Sequence, residues 1–144
     1  MNTEQRCLLD VNVLVALLDE FHVHHKSALK WFKTPGRQWA LCPFSEAGFL
    51  RIVTNPRVGM SMETAETLLE GLRNEPGYHY QLIPADWLAL TKPFRSKIHG
   101  HNQVTDAWLL GMALHAGLML VTFDRGMLHM AGEHRGSVVV LEGN

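Results

Sequence analysis

The stretch CLLDVNVLVALLD, residues 7–19, sets Asp10 and Asn12 inside an otherwise apolar run. A carboxylate in the middle of one buried element would need a partner or a proton. The polar pair therefore marks a junction between two elements. RCLL reads as a short strand, and VNVLVALLDE reads as a helix with Val13, Leu14, Leu17 and Leu18 on one face.

Outward from that junction the chain alternates. HVHHKSALKWFK is a second helical stretch, with Ala28, Leu29, Trp31 and Phe32 as packing residues and Lys26, Lys30 and Lys33 on a polar stripe. QWALCP is a strand, and PFSEAGFLRIVTN is a helix stopped by Pro56 with Glu46 in its first turn. SMETAETLLEGLRN is an amphipathic helix capped by Ser61, and YHYQLI is a third strand. ADWLALTKPF is helical up to Pro93, SKIHGHN is a polar loop, and QVTDAWLLGMALHAG is a helix closed by Gly117 with Asp106 in its first turns. LMLVTFD is a strand ending at Asp124, RGMLHMAGEH turns back, and SVVVLE is the last strand. Strands separated by helices argue for a three-layer α/β/α sandwich with a central parallel sheet.

Length and composition agree with one domain spanning residues 1–144. The chain has 144 residues, 47% of them hydrophobic and 19% charged, which is enough for one real core. Its formal net charge of -1 gives no global basic field, so any nucleic-acid contact has to be a local patch. Cys7 and Cys42 lie in apolar stretches without metal-ligand spacing and form no disulfide framework. No stretch has the length of a membrane span, and a cytoplasmic protein is the expectation.

On this frame the carboxylates converge. Asp10 and Asp124 end strands, and Glu46 starts the helix after a strand, so all three belong to the carboxyl edge of the sheet, where such folds bind ligands. Asp106 precedes its strand. A helix of 15 residues spans about 22 Å, which carries its start back to that edge. Close carboxylates repel by roughly 4 kcal/mol per pair at an effective dielectric near 20, and a hard divalent cation relieves that. Mg²⁺, with Mn²⁺ as a substitute, suits such ligands, and metal-assisted phosphodiester hydrolysis is the chemistry that follows. Three of the acids also have a plainer reading, while Asp10 is pinned between two apolar elements. The helix macrodipole favours Glu46 and Asp106 where they stand, and Asp124 suits a turn.

Four segments, LLDVNVLVALLDEFHVHH, CPFSEAGFLRIVTNP, VTDAWLLGMALHAG and LVTFDRGM, taken in order, resemble the PIN-domain ribonucleases, specifically VapC-type toxins of bacterial toxin–antitoxin (VapBC) pairs. The resemblance implies a PIN-like α/β/α fold, Mg²⁺ or Mn²⁺ dependence, cleavage of RNA, a cognate antitoxin and a homodimer. It assigns the four acids to Asp10, Glu46, Asp106 and Asp124, as metal ligands and catalytic groups. Asn12 matches a polar position that orients the first acid, and Thr122 matches the hydroxyl two residues before the last. Val11 stands where the family often has Thr or Ser, and Ser45 stands before the second acid where Asn is frequent.

Other features are weighed against that reading. Arg95, Lys97, His99 and His101 form the densest basic stretch just before Asp106 and are RNA-backbone candidates, against a solvated loop as the alternative. Arg51 and Arg57 are secondary candidates. His22, His24 and His25 invite a zinc reading, but at a helix start they would not face one way. Trp31, Trp39, Trp87 and Trp108 fall at apolar positions and suit core or interface. Exposed aromatics on the first two helices would suit a groove for an antitoxin helix. The competing functions are a Mg²⁺-dependent phosphatase, which would want a second Asp where Asn12 stands, and a non-catalytic PIN-like module binding RNA or a partner, which would lack an acid. A receiver domain fits less well, because its paired acids and late Lys are absent.

Overall fold

The structure is a computed structural model that describes residues 5–80 and 86–143. The apolar tetrad before Asp10 forms β1 (Arg6–Leu9), and the chain turns at Asp10 into α1 (Val11–Leu18). There follow α2 (His25–Phe32), β2 (Gln38–Leu41), α3 (Pro43–Val53), α4 (Met62–Arg73) and β3 (Tyr78–Tyr80). The second half contains α5 (Trp87–Thr91), α6 (Val104–Ala116), β4 (Met119–Thr122), α7 (Gly126–Ala131) and β5 (Val138–Val140).

All five strands pair in parallel in the order β3-β2-β1-β4-β5. The chain winds from β1 outward through β2 to β3, then returns to lay β4 on the other side of β1. That reversal opens a crevice at the carboxyl ends of β1 and β4, where open parallel sheets bind ligands. The register fixes who meets there: Leu9 pairs with Val121, so Asp10 and Thr122 emerge side by side.

Alternation along each strand divides the core between two faces. Cys7 and Leu9 pack with Trp39, Leu41 and Val121 beneath α1, α2, α3 and α4. Leu8 points the other way and packs with Ala40, Leu120 and Val138 beneath α5, α6 and α7. Both cysteines are free, buried thiols. Burial pushes the Cys7 thiol up to about 11. Ser61 caps α4 by accepting the Thr64 N–H at 3.1 Å, and Gly117 closes α6 at φ 71°, as the sequence predicts.

Two segments differ from expectation. The expected turn RGMLHMAGEH contains α7, whose buried Met127, Met130 and Ala131 follow helical spacing. The expected polar loop SKIHGHN is open only at Ile98–Gly100, its two ends being taken up by 3-10 turns, Lys92–Lys97 and His101–Gln103. Pro93 lacks an N–H and ends the α-ladder, but its fixed φ suits the first turn of the tighter helix that carries Phe94 into the core. Gln81–Ile83, the end of the expected third strand, lies outside the described residues.

Gly111 lets α6 lie directly on α5, because a Cβ there would run into the Leu90 carbonyl. Gly111→Ala is therefore expected to cost about 2–3 kcal/mol by overpacking. Gly71 on α4 is exposed and a Cβ there meets nothing, so Gly71→Ala is expected to gain about 0.5–1 kcal/mol. Urea unfolding of the two variants checks the opposite signs.

Candidate active site

Asp10 lies at the last step of β1, with its N–H still bonded to Val121 O at 2.9 Å and its carbonyl accepting from Val13 and Leu14 at the start of α1. Its carboxylate is only 5% exposed. Thr122, at the end of β4, donates its hydroxyl to Asp10 Oδ2 at 2.7 Å and accepts the Asp124 N–H at 3.0 Å. One side chain thus ties the first and last acids to the sheet edge. Burial raises the Asp10 pKa, with the Asp124 charge adding to it; Thr122 and the backbone amides of Val11 and Asn12 oppose the shift.

Asp106 faces Asp10 across a cavity of about 400 Å³ that Asn12, Phe44, Arg51 and Thr105 also line. Its carboxyl is pushed up to about 6, by burial first and then by the charges of Asp10 and Asp124. The first turn of α6 therefore does return to the edge where β1 ends. Asp124 is exposed and bends its Oδ1 onto the Gly126 N–H at 2.8 Å at the start of α7, near enough to act on both other acids but outside the cavity lining.

Glu46 is not brought to this group. It is buried at 7% exposure on the other flank of α3, where Arg73 at the end of α4 grips it with bonds of 2.6, 2.7 and 3.0 Å. The four-acid cluster of the sequence reading is thus three aspartates within electrostatic reach, with the glutamate held by a guanidinium. The physical reason is that a buried carboxylate without a cation takes the nearest one available. Arg73→Gln strands that carboxylate and is expected to cost about 1–2 kcal/mol, less than a fully buried pair because about half of Arg73 lies in water. Glu46→Gln, which leaves only a half-exposed guanidinium, should cost less; thermal melting of the two variants checks the order.

The basic stretch before Asp106 does not reach the cavity either. Lys97 donates to His129 O at 2.9 Å, Arg95 reaches toward Leu88 O, and His99 and His101 stand in solvent. The cation that does line the cavity is Arg51, a secondary candidate in the sequence. Its signal was helical spacing, since Phe44, Ala47, Gly48 and Arg51 share one face of α3. Arg73 gave no such signal. The three histidines serve separately: His25 Nδ1 meets Ala16 O at 2.8 Å, His24 stacks on Phe123 at 4.8 Å, and His22 Nδ1 accepts the His24 N–H at 3.0 Å.

The two family departures have visible places. Val11 is half-buried against Gly48, where even an added Cβ would come within 2.9 Å, so α1 and α3 touch closely beside the cavity. Ser45 is fully buried and reaches Leu9 O at 3.4 Å, tying α3 to the end of β1.

Asp10, Asp106 and Asp124 thus stand within electrostatic reach of one another at the switch point of a parallel sheet. The chain matches the PIN domain family over residues 7–133 and belongs to it. Ribonuclease VapC38 of Mycobacterium tuberculosis is 40% identical over 138 residues, covering 93% of this chain and 96% of that protein. Ribonuclease VapC44 of the same species is 37% identical over 125 residues, covering 85% and 88%. Among solved structures, the Rickettsia felis VapBC2 complex bound to a promoter DNA fragment superposes with a TM-score of 0.66 at 12% identity, covering 97% of this chain and 100% of that one. A toxin–antitoxin complex from Klebsiella pneumoniae gives 0.64 at 17% identity, covering 93% and 96%.

Proposed function

We propose that this chain, read whole as a single PIN domain, is a divalent-metal-dependent endoribonuclease, the toxin of a toxin–antitoxin pair. The observation that carries the reading is the pair Asp10 and Asp106 facing one another across an open cavity at the sheet's switch point. Full-length similarity to proteins named ribonucleases supports it. Two of the structural neighbours are toxin–antitoxin complexes, which supports a cognate antitoxin as partner, and a homodimer fits the same reading.

The donor set fits Mg²⁺ or Mn²⁺. Among the described residues no three His, Cys, Asp or Glu side chains stand close enough to cage an ion, but Mg²⁺ takes one or two carboxylates and completes its shell with water and phosphate oxygens. The raised Asp106 carboxyl shows that this ground disfavours bare negative charge. Asp10 and Asp106 would hold the ion, with Asp124 beside them and Glu46 joining on release from Arg73. Bound there, the ion supplies Lewis acidity toward the phosphate and a more acidic water. The chain's own part is positional. Thr122 fixes Asp10, Asn12 offers an amide at the cavity wall, and Phe44 with Leu109 gives the cavity an apolar side. Arg95, His99 and His101, exposed on the segment leading into α6, would follow the RNA backbone beyond the cavity.

Among the described residues no helix is long and apolar enough to cross a membrane; a cytoplasmic site of action is part of this proposal. The test is incubation of total RNA with the purified chain in Mg²⁺ or Mn²⁺ and in chelator, with cut sites mapped by their ends. Discrete, metal-dependent cuts are expected; a folded chain that cuts nothing in either metal would overturn the reading.

A further inference from the structure

Among the described residues Arg51 is the single cation lining the Asp10–Asp106 cavity. It stands in the last turn of α3, exposed, and among the described residues it makes no hydrogen bond or ion pair. An exposed arginine in the last turn of a helix is favoured by the macrodipole alone. Two further facts set this one apart. The turn of α3 before it on the same face carries the small residues Ala47 and Gly48, and all three line the cavity together with Asp10 and Asp106. Gly48 against Val11 also presses α3 onto α1, which fixes that face over the cavity rather than leaving it to drift.

A phosphodiester entering this cavity meets the carboxylates of Asp10 and Asp106. Its own charge is repelled there, and more negative charge develops on its free oxygens as water adds to phosphorus. A guanidinium presents a planar fork of donors that matches two phosphate oxygens at once, and it stays charged at any working pH. We propose that Arg51 binds the backbone phosphate of the RNA at the mouth of the Asp10–Asp106 cavity. This rests on the endoribonuclease reading above and adds to it the group that receives the substrate.

The test compares the wild-type chain with Arg51→Ala and Arg51→Lys on one RNA that the wild type cuts, measuring kcat/KM across a series of salt concentrations, with melting temperatures in parallel. Arg51→Ala is expected to lose about 10- to 100-fold in kcat/KM, and its salt dependence should flatten by about one phosphate contact. Arg51→Lys should keep the wild-type salt slope while losing part of the rate, because a point charge does not make the forked contact. Melting temperatures should stay at the wild-type value. An Arg51→Ala enzyme within twofold of wild type and with the same salt slope overturns the proposal while leaving the nuclease reading intact. So does a rate loss that tracks a lowered melting temperature with the slope unchanged. A wild-type chain that cuts no RNA overturns both.

Discussion

Asp10→Asn is expected to lower RNA cleavage by about a thousandfold or more, equivalent to roughly 4 kcal/mol of transition-state stabilisation, without loss of the fold. The amide has the shape of the carboxylate, and its oxygen keeps the Thr122 hydroxyl now bonded at 2.7 Å. What goes is the charge. At 5% exposure the carboxylate is costly to keep ionised, and burial already raises its pKa. The neutral variant should therefore melt at or above the wild-type temperature in metal-free buffer. Cleavage assays with circular dichroism on the same samples check both halves. Residual activity near wild type would show that Asp10 does not hold the metal, and an unfolded variant would show that its role is structural.

Asp106→Asn is expected to give the largest pH-dependent effect. The Asp106 carboxyl sits at about 6 against an ordinary 3.8. The native state therefore holds a proton that the unfolded chain has released, and stability falls as pH rises from about 4 to about 6. Above that window the ionised group is a standing cost, which the amide removes. In chelator, wild type and variant should melt together below pH 4 and diverge through the window. At pH 7.5 the variant should lead by about 2–6 °C, a range kept small because Asp106 is only about half-buried. Mg²⁺ should narrow the gap by stabilising the wild type alone. A difference that does not change with pH would mean that Asp106 is not crowded by Asp10 and Asp124.

How much of this was legible in the sequence depends on what each residue obeys. Asp10 was legible because its neighbours are apolar on both sides, and a charge there has few places to go but a strand end. Asp106 was legible because helix length alone carries it back to that edge. Thr122 came from the family resemblance alone, as the match to the hydroxyl two residues before the last acid. Glu46 illustrates the opposite case: its partner lies 27 residues away on another helix, and no local pattern announces a long-range ion pair. The basic stretch before α6 is close to Asp106 in sequence but does not line the cavity, and Lys97 turns toward α7 instead. The short helix α7 was visible in the spacing of Met127, Met130 and Ala131, but its six residues, flanked by glycines, read more readily as a turn.

In the function proposed, the site hydrolyses RNA with water at the Asp10–Asp106 cavity and does not merely assist the ribose hydroxyl in cutting its own strand. The measurement that separates the two is the chemistry of the new ends after cleavage in Mg²⁺ and heavy-oxygen water. Attack by water on phosphorus leaves a terminal phosphate carrying one heavy oxygen and a plain hydroxyl on the other fragment. Both should vanish with chelator and with Asp10→Asn. A cyclic phosphate on the ribose, free of label and formed equally well in chelator, would contradict it.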